Sequence, residues 1–181
     1  MIKINMGCGK RNFGKDWIHI DGENYEHLDY FSITDLSQFT DGSVDLIYAS
    51  HVIEYFDREN IVPVLNEWYR VLKPGGILRL AVPNFEIMSS LYCQKKYELD
   101  KFLGLLYGKM SMRGKVIYHK TVYDFESLSS LLIEQIGFNV VKYYDWRKTE
   151  HSCYDDHSQA YLPHMDKDSG ILMSLNMEAV K

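Results

Sequence analysis

A chain of 181 residues with 46% apolar and 14% aromatic side chains has the length of one ordinary domain and enough apolar surface for a full core, which argues against disorder and against two domains. A formal charge of −5 without a long basic block gives no footprint for a phosphate backbone, so no nucleic-acid partner is expected. Cys8, Cys93 and Cys153 are odd in number and far apart, which disfavours a disulfide framework or a zinc motif and fits a reducing, cytoplasmic setting; no apolar run reaches membrane-spanning length, and neither export nor membrane insertion is expected.

Ile2 to Met6 alternates apolar and polar residues and stops at Gly7-Cys8-Gly9, which predicts a short buried strand entering a glycine turn. Trp17 to Ile20 predicts a second strand ending at Asp21-Gly22, and Lys10 to Asp16 is too short for a full helix and must bridge as a loop. Phe31 to Leu36 reads as a weak third strand, and Val44 to Ala49, after the turn signal Asp41-Gly42, as a strong fourth. From Asp57 onward, Ile61, Val64, Leu65, Trp68, Val71 and Leu72 share one helical face, and Pro74-Gly75-Gly76 stops that helix before a strand over Ile77 to Val82. Phe85 to Tyr107 has helical spacing and reads as a cover, Gly108 to Lys120 as a loop, and Phe125 to Ile136 as a helix stopped by Gly137. Phe138 to Trp146 is a sixth strand, Arg147 to Asp168 a polar stretch without pattern that is either a functional or a disordered loop, and Ile171 to Glu178 a closing strand. The alternation is that of an open parallel α/β sheet.

Four sites on this frame carry chemistry. Gly7 and Gly9 stand where a backbone passes close to a ligand, because a Cβ would block contact; the alternative is an ordinary tight turn. Asp21, at the end of a neighbouring strand, can accept hydrogen bonds from both hydroxyls of a ribose, or else cap a turn. Asp35 with Leu36 can take the amine edge and the face of an adenine. Ser50-His51 follows a buried strand that turns polar at its carboxyl end, the place where open α/β sheets bind ligands.

Together these segments resemble the class I S-adenosylmethionine-dependent methyltransferase family, in its small bacterial branch. Asn5-Met6-Gly7-Cys8-Gly9 is similar to its first glycine motif, Asp21 to its ribose acid and Asp35 to its adenine-edge acid. Ser43 to Tyr55 resembles its fourth-strand segment, and Glu67 to Gly76 followed by Pro83-Asn84 resembles the next helix, turn and strand, with Leu72-Lys73-Pro74-Gly75-Gly76 the most specific piece. The resemblance implies a doubly wound, Rossmann-like α/β sheet, mostly parallel with an antiparallel last strand and helices on both faces. It also implies a single domain over 1–181, with a cofactor half (1–84), a cover or lid (85–120) and a carboxyl-terminal half with an acceptor loop (121–181). S-adenosylmethionine is the implied cofactor, bound by Met6, Gly7, Cys8, Gly9, Lys10, Asp21, Gly22, Asp35, Leu36, Ser50 and His51.

One departure is the missing first helix, which leaves Lys10, Arg11 or Asn12 to approach the methionine carboxylate of the cofactor, or to stand as solvated charge. His51 is the candidate general base; its bland reading is a capping or cofactor-packing histidine. Tyr118 and His119, before the late helix, are expected at the surface, the alternative being that they face the acceptor from above. His151 to His157, with His164 and Asp166, holds metal-ligand residue types at a spacing that fits no established motif, so no metal is expected and an acceptor loop or solvated loop is the better reading. A small-molecule or glycan acceptor fits the charge and length. A cofactor-binding protein without transferase activity is the rival class, and a nicotinamide-dependent oxidoreductase a distant third, because Gly7-x-Gly9 lacks the third glycine of that fingerprint and Asp21 comes too early.

Overall fold

A computed structural model describes all of residues 1–181. The centre is a six-stranded sheet in the order β2-β1-β3-β4-β10-β7, made of β1 (Lys3–Met6), β2 (Ile18–Ile20), β3 (Val44–Ser50), β4 (Leu72–Pro83), β7 (Val140–Tyr143) and β10 (Ser174–Val180). β2, β1, β3 and β4 run parallel, while β10 is antiparallel to both β4 and β7. This is the mostly parallel Rossmann-like sheet expected from the sequence. The register pairs Met6 with Ile20 and Ala49, and Ser50 with Ala81, so the carboxyl ends of the parallel strands open on one edge of the sheet.

Strand alternation sorts the two faces. Ile4, Met6, Ile47, Leu78, Leu80, Leu175 and Met177 join one large core with Val64, Leu65 and Trp68 of α1 (Ile61–Val71) and Leu128, Leu132 and Ile136 beyond the start of α4 (Phe125–Ser130). The helix begun by α4 continues as a π-helical segment, Leu131–Ile136, and ends at Gly137, whose φ of 99° is a left-handed value that favours glycine. On the opposite face, Leu46 and Tyr48 pack with Phe13 and Trp17, and Tyr154 lies against them. The residues between β1 and β2 therefore form a packed loop, which explains how the fold tolerates the loss of the usual first helix.

Several boundaries differ from the sequence reading. Phe31 to Leu36 is not a strand; it is tied down side-on, with Trp68 Nε1 donating to the Ile33 carbonyl at 2.7 Å and the Leu36 N–H donating to Glu67 Oε1 at 2.9 Å. The cover breaks into α2 (Phe85–Cys93), a single 3-10 turn and α3 (Leu103–Tyr107). The stretch 108–120 is no plain loop either: β5 (Met110–Met112) and β6 (Lys115–Ile117) pair as a hairpin. Residues 147–168 are ordered, carrying 3-10 turns at Trp146–Lys148 and His157–Gln159 and β8 (Tyr161–Leu162), which pairs with β9 (Ile171–Leu172). Tyr48 explains part of that order: its hydroxyl donates to Asp156 Oδ2 at 2.6 Å in the interior. No helix is long and apolar enough to cross a membrane.

Candidate active site

The turn after β1 is held by its neighbour strand. The N–H groups of Gly7 and Cys8 donate to the Ile20 carbonyl, and Gly9 N–H donates to Asp21 Oδ2 at 2.8 Å. Asp21 Oδ1 accepts the Glu23 N–H, also at 2.8 Å, so a buried carboxylate is fixed by two backbone donors while further lone pairs remain on both oxygens. Gly7 and Gly9 have φ of 65° and 57°, and they differ in surroundings. A Cβ at Gly7 would strike Val52, whereas one at Gly9 would meet nothing within 4 Å. Gly7 therefore serves packing and the turn, and Gly9 faces open space.

A crevice of about 200 Å³ opens beside this turn, lined by Gly7, Asp21, Gly22 and His51 on the sheet side and by Met110, Met112 and Ile117 of the hairpin above. The hairpin is latched by Arg113, whose Nε donates to the Gly22 carbonyl at 2.6 Å and whose N–H donates to Glu23 Oε2. A nucleoside cofactor fits the donor set: a backbone without Cβ, a carboxylate with spare lone pairs and an apolar ceiling. The volume falls below the roughly 300 Å³ at which ligand pockets begin.

The other sequence-predicted residues fall at varied distances from this crevice. Met6 is wholly buried in the core. Cys8 is buried with Sγ 3.6 Å from His27 Nε2, and burial with the charge of Asp21 pushes its thiol up to about 12, so it stays protonated at neutral pH. Lys10 is exposed, and Arg11 Nε donates to the Asp155 carbonyl at 2.7 Å rather than standing free. Ser50 Oγ is buried without a partner. Asp35 and Leu36 do not line the crevice: the Asp35 carboxylate is exposed and accepts the Ser37 N–H, and Leu36 is a core residue, so Ile33 supplies the apolar contact from this segment instead. The shift follows from the missing third strand.

His51, in a left-handed turn with φ of 55°, stands where β3 ends. Its Nδ1 lies 3.3 Å from Glu54 Oε1, and the same oxygen lies 3.8 Å from His119 Nε2. Burial, reinforced by His157 and His119, holds the His51 imidazole well below its usual range, so it is neutral at physiological pH. Glu54 is 0% exposed, neither carboxylate oxygen has a hydrogen-bond partner, and burial pushes its carboxyl up to about 8. Tyr118 is exposed, but the His119 side chain is only 3% exposed, a correction to its expected surface placement: its ring sits where a Cβ on Gly108 would fall, and Nδ1 donates to the Leu105 carbonyl at 2.9 Å. On the far side of His119 lies an open groove of about 750 Å³ lined by Asp57, Arg58, Asn60, Tyr107, Lys120 and Thr121, among others. The histidines thus stand between a small apolar crevice and a large polar groove. His51-x-x-Glu54 after a buried strand was the sequence signal for this cluster; His119 and the hairpin carried none beyond Arg113-Gly114 between two short alternating runs.

A parallel sheet whose first strand enters a glycine turn fixed by the acid of the second defines an α/β nucleoside-cofactor protein. Residues 6–80 match the family model described as "Methyltransferase domain", and this match together with the fold supports an S-adenosylmethionine-dependent methyltransferase with S-adenosylmethionine as cofactor. Similar solved structures share the fold over nearly the whole chain. A SAM-dependent methyltransferase from Archaeoglobus fulgidus is 17% identical, with a TM-score of 0.59 over 99% of this chain and 85% of that one. A possible histamine N-methyltransferase from Thermotoga maritima is 17% identical, with a TM-score of 0.56 over 99% and 82%. The 1,6-didemethyltoxoflavin-N1-methyltransferase of Burkholderia thailandensis, solved with 1,6-didemethyltoxoflavin and S-adenosylhomocysteine, is 10% identical, with a TM-score of 0.56 over 99% and 70%. No curated protein matches the sequence.

Proposed function

We propose that this methyltransferase acts on a polar small molecule or a glycan, seated in the groove beside His119 and facing the cofactor crevice across His51. The observation that carries the reading is the adjacency of two unlike cavities, one apolar and walled by glycine backbone, the other wide and lined by Asp57, Arg58, Asn60 and Lys120. A groove with both charge signs suits hydroxyl-rich or zwitterionic ligands, and the chain's formal charge of −5 disfavours a polyphosphate. The Burkholderia thailandensis relative, with a small molecule bound, supports the same class.

S-adenosylmethionine supplies an electrophilic methyl on a sulfonium and leaves as a neutral thioether. The chain's own work is binding, alignment and the exclusion of water. Gly9 gives the cofactor a backbone without Cβ to lie on, Asp21 offers its spare lone pairs to the ribose, and Met110, Met112 and Ile117 close the crevice to solvent. His51, neutral and at the junction of the cavities, orients the acceptor or takes its proton.

The test is a pair of measurements on the purified protein. S-adenosylmethionine and S-adenosylhomocysteine should raise Tm while nicotinamide dinucleotides do not. Labelled cofactor incubated with size-fractionated cell extract should pass label to the small-molecule or glycan fraction. Label entering RNA or protein alone, or Tm shifts with no transfer, would refute the acceptor class.

A further inference from the structure

The cluster of His51, Glu54 and His119 asks for a partner it does not find within the chain. Their ligand atoms all lie within 4.8 Å of one another. A carboxylate with no exposed surface and no hydrogen bond to either oxygen is a costly arrangement, because burial removes hydration and nothing replaces it. Between two neutral imidazoles the carboxyl is driven to hold its proton, which leaves a buried polar group without a partner. A cation would be that partner.

We infer that His51 Nδ1, Glu54 and His119 Nε2 bind one divalent first-row transition ion, of the zinc, manganese, iron or cobalt class, at the wall between the cofactor crevice and the acceptor groove.

The geometry supports this in three ways. Ligand atoms about 2.0–2.2 Å from a common ion stand roughly 2.8–3.6 Å apart in octahedral or tetrahedral arrangements. The separations of 3.3 Å for His51 to Glu54 and 3.8 Å for His119 to Glu54 are close to that range, and with all three ligand atoms within 4.8 Å of one another, binding would draw the two imidazoles toward the carboxylate. The His119 tautomer is already set, because donation from Nδ1 to the Leu105 carbonyl leaves a lone pair on Nε2 facing Glu54. The ring is also held from its backbone: His119 N–H donates to Tyr107 O at 2.9 Å, Lys120 N–H donates to the Glu54 carbonyl at 2.8 Å, and Tyr55 Oη donates to the Gly108 carbonyl at 2.6 Å. Two imidazoles and a single carboxylate favour a borderline ion over magnesium or calcium, which prefer all-oxygen shells. No short motif announces the site, because His51-x-x-Glu54 supplies two of the ligands and His119 lies far down the chain.

Three protein ligands leave coordination positions free, and His119 lines the groove while His51 lines the crevice. Resting on the methyltransferase reading for this point alone, the free positions would receive an oxygen or nitrogen of the acceptor and fix it beside the methyl group.

The experiment uses untagged, chelator-stripped protein titrated with cobalt, zinc and manganese by calorimetry and thermal melting, with cobalt absorption as a direct report of coordination. The expected result is one ion per chain, a rise in Tm, visible cobalt bands, and a loss of at least 100-fold in affinity in both Glu54→Gln and His119→Gln, with magnesium inert at the same concentration. Absence of binding in the wild type, or binding unchanged in both variants, overturns the site. Glu54→Gln is isosteric, and its fold is checked by circular dichroism and by its Tm shift with S-adenosylhomocysteine. That last shift is measured without metal, so a failure of the ion site and a failure of the cofactor reading give separate results.

Discussion

Asp21 Oδ2 accepts the N–H of Gly9 at 2.8 Å, so the acid we propose for the ribose also holds the glycine turn in shape. Two roles in one carboxylate change how it must be tested. Asp21→Ala would remove the turn's anchor together with the ribose acceptor, and the losses could not be told apart. Asp21→Asn keeps one acceptor oxygen for Gly9 and removes the charge. Its affinity for S-adenosylhomocysteine should fall by about 1.5–3 kcal/mol, about 10- to 150-fold, because hydrogen bonds to a charged acceptor are of that size. Calorimetry checks the first number, and the apo Tm of Asp21→Asn should stay above that of Asp21→Ala. Unchanged affinity in Asp21→Asn would remove Asp21 from the ribose.

The two glycines of the turn should fail differently. Gly7→Ala drives a methyl into Val52 at a positive φ, so the variant should lose stability, on the order of 2–4 kcal/mol from overpacking and backbone strain together. Gly9→Ala meets no neighbour and bears only the backbone cost, about 1–2 kcal/mol, but its methyl would point into open space beside the crevice. Cofactor affinity per unit of lost stability should therefore fall more for Gly9→Ala than for Gly7→Ala. Urea unfolding and S-adenosylhomocysteine titration on both variants supply the comparison, and an equal ratio would mean that Gly9 does not approach the cofactor.

The sheet and the glycine turn at its carboxyl edge were legible because local chemistry and tertiary role coincide there: Ile4 and Met6 alternate as a strand must, and Gly7, Gly9 and Asp21 meet at its end. The Phe31 to Leu36 segment misled because apolar residues at strand spacing were answering to Trp68 and the core rather than to a neighbouring strand. His119 was illegible for a related reason. A histidine among Tyr118 and Lys120 looks solvated, and only the fold of 105–108 over its ring buries it. The segment around His151 reads as a polar loop, yet it is held by a stack of aromatic rings and by Tyr48 to Asp156, contacts more than a hundred residues apart in the chain for the latter pair.

The hairpin over the crevice is fastened by one exposed side chain. Arg113→Ala removes the donor to the Gly22 carbonyl and leaves the β5-β6 turn tied only through its backbone. The variant should bind and release S-adenosylhomocysteine several-fold faster, with Kd changing less than either rate, and amides 110–117 should exchange faster in the free protein. Stopped-flow fluorescence and hydrogen exchange provide the readouts. Rates equal to wild type would mean that the hairpin does not gate the crevice.

His151 gives the fold a dependence on acid that one substitution should reduce. Its ring is fully buried, stacks on Phe13 with centroids 5.5 Å apart and lies 4.0 Å from Tyr48, and neither ring nitrogen has a partner. Burial, with Arg79 adding to it and Asp156 and Glu150 opposing, depresses its pKa to about 4. The unfolded chain takes up the proton near 6.5, so between about 6.5 and 4 the unfolded state holds one more proton than the folded state. Stability is therefore full above pH 6.5 and declines as pH falls, by up to about 3 kcal/mol at pH 4 from this residue. His19, His51, His119 and His157 are also held below their usual range and act in the same direction, so wild type and variant both weaken in acid. The distinguishing quantity is the slope: His151→Phe keeps the stack without a titrating group, and its unfolding free energy should fall less steeply from pH 6.5 to 4.5, by about 1 kcal/mol per pH unit. Urea denaturation at intervals across that window measures both slopes, and parallel lines would show that His151 does not titrate with folding.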